Sequence, residues 1–300
     1  MPEEHWVSAH IFYHDQLDPL LVGLVRPLVE HLAATGLARR FFFLRYWEGG
    51  NHLRLRVEAP PDDHSEVQAV VRLWVEDYLR THPAADRIDA AGYAAVAARY
   101  ARQEGRHDYA RSLYPNNSVR FIPYRRETAR YGSGAAMEAV EQHFVESSQL
   151  ALGVVAAGTP HRHRSALALS ATLLSWLCAG WPVDTPMRTP ARATGPGELE
   201  RRYQRRAEAL RQYVLRLQPL AAGHTGPVRD DLLTAWTRSL RALRDRCDPG
   251  HHARVVLDTC AHLFCNRVGV LGPDEAAVRY LAARAMGEVL VPEGDRDGLV

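Results

Sequence analysis

The sequence predicts an α+β protein, with an antiparallel sheet of ferredoxin-like, split βαβ type in its N-terminal half and a mainly helical C-terminal half. Three observations carry this. Two β-prone runs flank Gly49-Gly50, a dipeptide suited to a tight turn at positive φ. Up to Tyr131 the periodic segments run strand, helix, hairpin, helix, strand, the order of a split βαβ plan. Beyond Tyr131 the apolar spacing is almost wholly helical. The chain of 300 residues is therefore read as one domain, with residues 1–131 as its sheet-containing half and 132–300 as its helical half.

WVSAHIFY, Trp6 to Tyr13, reads as the first strand, and LDPLLVGLVRPLVEHLAATG as an amphipathic helix entered near Asp18 and closed near Gly36. The hairpin FFFLRYWEGGNHLRLRV follows. Asp62 to Leu79 has helical spacing with Asp62, Asp63 or Ser65 as candidate caps, and an Ala-rich region without an assigned element runs to about Arg111. NSVRFIPY, Asn117 to Tyr124, is the last strand. The helical candidates are then Ala135–Ala156, Ser165–Gly180, Gly197–Leu217, Val228–Arg246, Ala253–Val268 and Asp274–Leu290. TPMRTPARATGPG reads as a loop, either a flap or a disordered segment, and there is no internal repeat.

The hairpin carries the sharpest chemistry. A two-residue turn sets Glu48 opposite Asn51, Trp47 opposite His52, Arg45 opposite Arg54 and Phe43 opposite Arg56. Alternation then puts Phe42, Leu44, Tyr46, Leu53, Leu55 and Val57 on a core face, and Phe43, Arg45, Trp47, His52, Arg54 and Arg56 on the other. Cations opposed across a ladder repel unless an anion sits among them, and a guanidinium fork fits carboxylate or phosphate bidentately. The face reads as an anion site, the alternative being the wet side of an antiparallel sheet.

Composition removes whole classes of chemistry. There is no lysine, so all 37 basic residues are arginine, which excludes a lysine Schiff base, a pyridoxal phosphate anchor and a Walker lysine. A net charge of +2 does not call for nucleic acid. MPEEHW is no signal peptide, and the longest apolar stretch, ALALSATLLSWLCAGW, is too short to span a bilayer, so a cytoplasmic protein without membrane partners is expected. Cys178, Cys247, Cys260 and Cys265 show neither disulfide framework nor zinc spacing and read as buried thiols. HRHR at His161–Arg164 and His251-His252 lack a three-ligand spacing, so no metal is expected. RRYQRR, Arg201 to Arg206, is flanked by glutamates and reads as a solvated helix. No G-x-S-x-G or G-x-G-x-x-G is present.

Two further clusters qualify as candidates. In YRRETARYG, Tyr124 to Gly132, Glu127 and Arg130 are spaced as neighbours on a helical turn and can pair. In HARVVLDTCAHLFCNRVG, Arg254, Asp258, His262 and Asn266 recur every four residues and form one stripe. Apolar neighbours point to partial burial of His262, and Asp258 is the expected group to fix its tautomer, making His262 the acid–base candidate. A solvated turn and a solvated stripe are the plain alternatives.

WVSAHIFYHDQLDPLL, FFFLRYWEGGNHLRLR, YRRETARYG followed by EQHFVESS, and HLFCNRVG together resemble the stand-alone C-terminal, elimination domain of class I lanthipeptide dehydratases, split off in thiopeptide pathways as a thiopeptide-type bacteriocin biosynthesis protein. The resemblance covers most of the chain, in order. It implies β-elimination of glutamate from glutamylated Ser or Thr of a ribosomal precursor peptide, leaving dehydroalanine or dehydrobutyrine. It also implies partners: the precursor peptide with its leader and a glutamylating dehydratase subunit, with a second copy of the chain as a further candidate and no nucleic acid bound directly. No cofactor is implied. The family's catalytic residues fall on Arg54, Arg56, Arg130 and His262, and Arg45, Trp47, His52, Glu127 and Asn266 are the accompanying substrate-binding candidates. The junction reads RYGS where the family commonly has RYGG, and the late helix reads HLFCNR where a methionine often follows the histidine. A related branch of the fold joins two dehydroalanines by formal [4+2] cycloaddition into a pyridine. That activity, and a non-catalytic leader-binding role through a sheet edge, are the competing expectations.

Overall fold

The structure is a computed structural model that describes residues 5–85, 88–105, 107–180, 196–224, 231–247 and 251–290. They fall into two compact units, one up to Arg126 together with Val155–Ala157, the other from Glu127 to Val154 and from Gly158 onward.

The first unit holds a four-stranded antiparallel sheet in the order β2-β3-β1-β4, built from β1 (Trp6–Phe12), β2 (Arg40–Tyr46), β3 (His52–Glu58) and β4 (Ser118–Phe121). β1 lies between β3 and β4, and every residue of it is buried. The expected helix after β1 forms in three pieces, α1 (Asp18–Leu20), a π-helical turn over Leu21–Val25, and α2 (Arg26–Ala34). Pro27 has no N–H to give and its ring crowds the carbonyl four residues back, which accounts for the wide turn before it. α3 (His64–Thr81) is the expected helix after the hairpin and buries Val67, Val71, Val75 and Leu79, spaced by four. α4 (Ala90–Glu104) occupies the Ala-rich region to which the sequence reading assigned no element. Its stripe of Tyr93, Ala97 and Ala101 is buried but mostly of methyl size, giving little apolar contrast. The Asp89 carboxylate accepts the Gly92 N–H as its cap at 2.7 Å.

The hairpin departs from expectation by one residue. Tyr46 pairs with His52, Leu44 with Arg54, Phe43 with Leu55 and Phe42 with Arg56. The connection is Trp47 to Asn51 rather than Gly49-Gly50 alone, so the whole of β2 is shifted against β3 and each of its side chains changes face. Gly49 and Gly50 are at φ 83 and φ 113 as the turn chemistry requires. The neighbourhood decides the longer turn. Tyr114 N–H bonds to the Gly49 carbonyl, Tyr13 N–H to Asn51, and the Gly49 N–H donates to the Tyr93 hydroxyl at 2.7 Å.

One sheet face carries Val7, Ala9, Ile11, Leu53, Leu55 and Val57 with Phe41, Phe43 and Arg45. Helices cover this face. Arg72 of α3 lies over Phe121, Val29 and Leu32 of α2 border a small cavity with Phe41 and Val57, and Asp18 of α1 pairs with Arg45. The other face is where Phe42, Leu44, Tyr46, His52, Arg54 and Arg56 of the hairpin lie together.

The second unit is helical: α5 (Thr128–Tyr131), α6 (Ala135–Ala156), α7 (His161–Ala179), α8 (Pro196–Gln204), α9 (Ala207–Ala222), α10 (Leu232–Arg244), α11 (His251–Val268) and α12 (Pro273–Leu290). α7 is its centre, packed by α9, α10, α11 and α12. It buries Ala168, Ser170, Ala171, Thr172 and Ser175, small enough for close approach. The Ser170, Thr172 and Ser175 hydroxyls bond back to carbonyls four residues earlier, so their burial leaves no polar group unmet. The predicted Gly197–Leu217 helix is two helices, broken where Arg206 leaves helical φ at −134. α10 starts at Asp231, which accepts the Thr234 N–H, later than the expected Val228. Residues 228–230, and the Pro/Gly/Thr-rich stretch up to residue 195, lie outside the described residues. All four cysteines are buried thiols. Among the described residues no helix is long and apolar enough to cross a membrane, and no group of metal-ligating side chains comes together.

Candidate active site

The register shift re-sorts the hairpin's candidates. His52, Arg54 and Arg56 share the face opposite the helices, as expected, but Arg45 does not: it points to the helical face and pairs with Asp18 at 2.6 Å. Phe43 goes with it, and Phe42, Leu44 and Tyr46 take their place beside the arginines. Trp47 belongs to the turn, stacked on Tyr46 and Tyr100 with ring centroids 5.9 and 5.6 Å away. The expected core and arginine faces of β2 are thus exchanged, because a strand's side-chain period is two and the turn gained one residue.

Arg54 is aimed from several sides. Its guanidinium carbon stands 3.5 Å from the centroid of the Tyr46 ring, one Nη is 3.4 Å from Glu48, and Nε donates to His52 Nε2 at 3.3 Å. That last bond needs a lone pair on Nε2, and His52 Nδ1 meets the Gly50 carbonyl at 2.9 Å, so the imidazole is the neutral Nδ1–H tautomer. Glu48 is held in turn by the Ala110 N–H at 2.9 Å. Arg56 is 8% exposed and lies 4.5 Å from the Tyr124 ring centroid and 5.1 Å from that of Phe42. Such cation–π seats fix a planar cation without neutralising it.

The histidines here carry no charge. Burial, reinforced by Arg54, His52 and Arg56, lowers His10 to about 2. Burial also lowers His52 to about 3, against the opposing pull of its bond to Gly50. The positive potential of this face therefore belongs to guanidiniums alone, which stay charged at any working pH. His52 is wholly buried, and its ring accepts the Arg54 Nε–H.

The remaining candidates are in the helical unit. Arg130 and Glu127 pair at 3.1 Å across the turn of α5, as their spacing predicted, and Arg130 stays 52% exposed. Tyr131 turns inward, edge-on to Phe144, and Gly132 sits beside His252 of α11, where a Cβ would stand 3.7 Å from Nε2. His262 on α11 is 49% exposed, and its Nδ1 contacts Glu275 of α12 at 2.7 Å. A carboxylate only accepts, so Nδ1 carries a proton and Nε2 is the nitrogen left to face other groups. Asp258 is not the orienting group. It is bound by Arg279 at 2.5 and 2.7 Å and by the Trp176 indole N–H at 2.7 Å. Its place on the stripe was right, but the next helix supplied a stronger partner. Asn266 lies on the same helix, half-buried.

Sequence reading missed Glu275 and the β1 side chains that meet the arginines. Glu275 stands in the acidic first turn of α12, where a carboxylate is ordinarily accounted for by the helix dipole. The alternation Ser8, His10 within an otherwise apolar strand was the available signal for β1.

The sequence model of the family described as "Lantibiotic biosynthesis dehydratase C-term" matches residues 6–286. The chain belongs to this family. No curated protein matches it. Among solved structures it is similar to TbtD, the pyridine synthase from thiomuracin biosynthesis, with a TM-score of 0.75 at 23% identity over 95% of this chain and 98% of that one. TsrL is similar with a TM-score of 0.62 at 17% identity, over 98% and 97%. MibB, the tRNA-dependent lantibiotic dehydratase from Microbispora sp. 107891, is similar with a TM-score of 0.59 at 20% identity over 95% of this chain, which spans 28% of MibB. These likenesses concern the fold. With them, the α+β assignment and the family resemblance read from the sequence both stand.

Proposed function

We propose that this protein is a lyase that eliminates glutamate from glutamylated Ser or Thr of a ribosomally made precursor peptide, leaving dehydroalanine or dehydrobutyrine. The observation that carries the reading is the fixed pair of guanidiniums, Arg54 and Arg56, on a sheet face whose histidines are neutral. In the step, the Cα–H bond breaks, the electron pair forms the Cα=Cβ bond, and the Cβ–O bond breaks to release glutamate as a carboxylate. Negative charge develops on the enolate-like amide and on the leaving oxygen, and preorganised cations aimed at such charge lower the barrier. Arg54 and Arg56 take the leaving carboxylate. His262, with Nδ1–H held by Glu275, moves the proton at Nε2. Arg130, paired with Glu127, is given a catalytic role by the family resemblance.

The glutamate would be installed by a separate glutamylating subunit, and the leader of the precursor peptide would supply binding remote from the reacting residue. The order β2-β3-β1-β4 with all pairs antiparallel supports a split βαβ, ferredoxin-like description of the sheet-containing half.

A second reading is favoured by one observation. The chain is matched over nearly its full length by a pyridine synthase of similar size, so formal [4+2] cycloaddition of two dehydroalanines is the competing activity. Purified protein incubated with a synthetic glutamylated peptide, without tRNA, is expected to release glutamate, followed by mass. An untouched glutamylated peptide, with a bis-dehydroalanine substrate losing its leader instead, replaces elimination by cycloaddition. Leader binding with no reaction of either substrate leaves a binding subunit.

A further inference from the structure

β1 brings two polar side chains to the arginines. Ser8 is directly opposite Arg56 and His10 directly opposite Arg54, so the four side chains leave the sheet on one face. On its other flank His10 faces Arg120 of β4. Ser8 is 5% exposed, and its hydroxyl oxygen meets no hydrogen-bond partner among the described residues. Its backbone carbonyl accepts the Ile122 N–H. A buried hydroxyl left unmet destabilises a fold where alanine would not, so packing alone does not account for serine here.

The surroundings define what the hydroxyl can meet. The His10 ring stacks on His52 at 5.2 Å and the Arg56 guanidinium is seated over Tyr124, so neighbouring groups are held in place. Two guanidiniums repel a cation. An apolar group would bury the hydroxyl unsatisfied. A carboxylate takes charge-assisted bonds from the forks and accepts a further bond from a neutral O–H.

We propose that Ser8 is a carboxylate-binding residue whose hydroxyl, together with Arg54 and Arg56, holds a carboxylate of the departing glutamate. The identity of that carboxylate rests on the elimination reading, whereas the carboxylate site itself rests on the sheet register and the buried hydroxyl.

Binding and turnover are measured separately. Full-length protein is titrated with L-glutamate and with glutarate by calorimetry, as wild type, Ser8→Ala and Ser8→Thr. Ser8→Ala is expected to weaken both ligands about tenfold or more, the scale of a hydrogen bond to a charged group. Ser8→Thr, which keeps the hydroxyl, should restore binding in large part. The urea midpoint of Ser8→Ala should be unchanged or raised, an outcome a merely structural role would not produce. Equal affinity of wild type and Ser8→Ala overturns the proposal, as does wild-type protein that binds neither carboxylate. If glutamate binds through Ser8 while glutamylated peptide stays intact, the elimination reading fails and the carboxylate site stands. If wild type eliminates and Ser8→Ala keeps the same KM and product inhibition, the Ser8 assignment fails alone.

Discussion

At the residue scale, the proposed elimination separates charge from proton transfer. Arginines carry the positive charge of the sheet face, while the histidine suited to moving a proton is the half-exposed His262. Arg54→Lys keeps the charge but loses the fork and the seat on Tyr46, and should lower the elimination rate on the order of 10²–10³, read by mass from glutamate release. Glu275→Gln lets the side-chain amide offer either a donor or an acceptor to Nδ1, so the tautomer of His262 is no longer held. Turnover should fall about 10²-fold with KM little changed, in steady-state assays. Asp258→Ala should behave in the opposite way. It leaves the half-buried Arg279 without its carboxylate, so it should destabilise by about 3 kcal/mol in urea unfolding while sparing the chemistry.

At the element scale, the hairpin turn decides which side chains stand beside the arginines. Trp47 to Asn51 is one residue out of step with a two-residue turn, and that step moves Arg45 and Phe43 to the helical face. Gly49 is where this turn is most constrained. Its φ is 83, and a Cβ would lie 2.1 Å from the Tyr114 ring. Gly49→Ala should cost more than about 1 kcal/mol in chemical denaturation and, by loosening the Glu48 and His52 supports of Arg54, weaken carboxylate binding as well. The longer turn was hidden from sequence because its determinants, Tyr93, Tyr114 and Tyr13, lie far along the chain. α4 was hidden for another reason: a helix whose buried stripe is mostly alanine has almost no hydrophobic period to detect.

At the scale of the whole molecule, three buried histidines set the response to acid. Burial, with nearby guanidiniums, holds His10 at about 2, His52 at about 3 and His143 at about 3. Their unfolded value is near 6.5, so between that pH and the folded values the unfolded chain binds protons that the folded chain does not. Stability contributed by keeping them neutral is complete above about pH 6.5 and is lost as pH falls, by up to about 1.4 kcal/mol per pH unit for each histidine. Urea unfolding should therefore show a clear drop between pH 7 and pH 5. His143→Gln should make that drop shallower; an unchanged slope would mean His143 takes up its proton in the folded protein as well.

Local patterns were enough for much of this. Period two and period 3.6 are properties of neighbouring residues, so the strands, most helices, their order, the excluded lysine chemistry, and Arg54, Arg56, Arg130 and His262 as candidates could all be read from the chain itself. Glu127 pairing with Arg130 was likewise a matter of one helical turn. Tertiary structure alone decided which face Arg45 occupies, that Glu275 rather than Asp258 holds His262, and that Ser8 and His10 stand against the arginines. Each of these depends on contacts between segments distant in sequence, where a single residue of register or the next helix in the bundle outweighs any local preference.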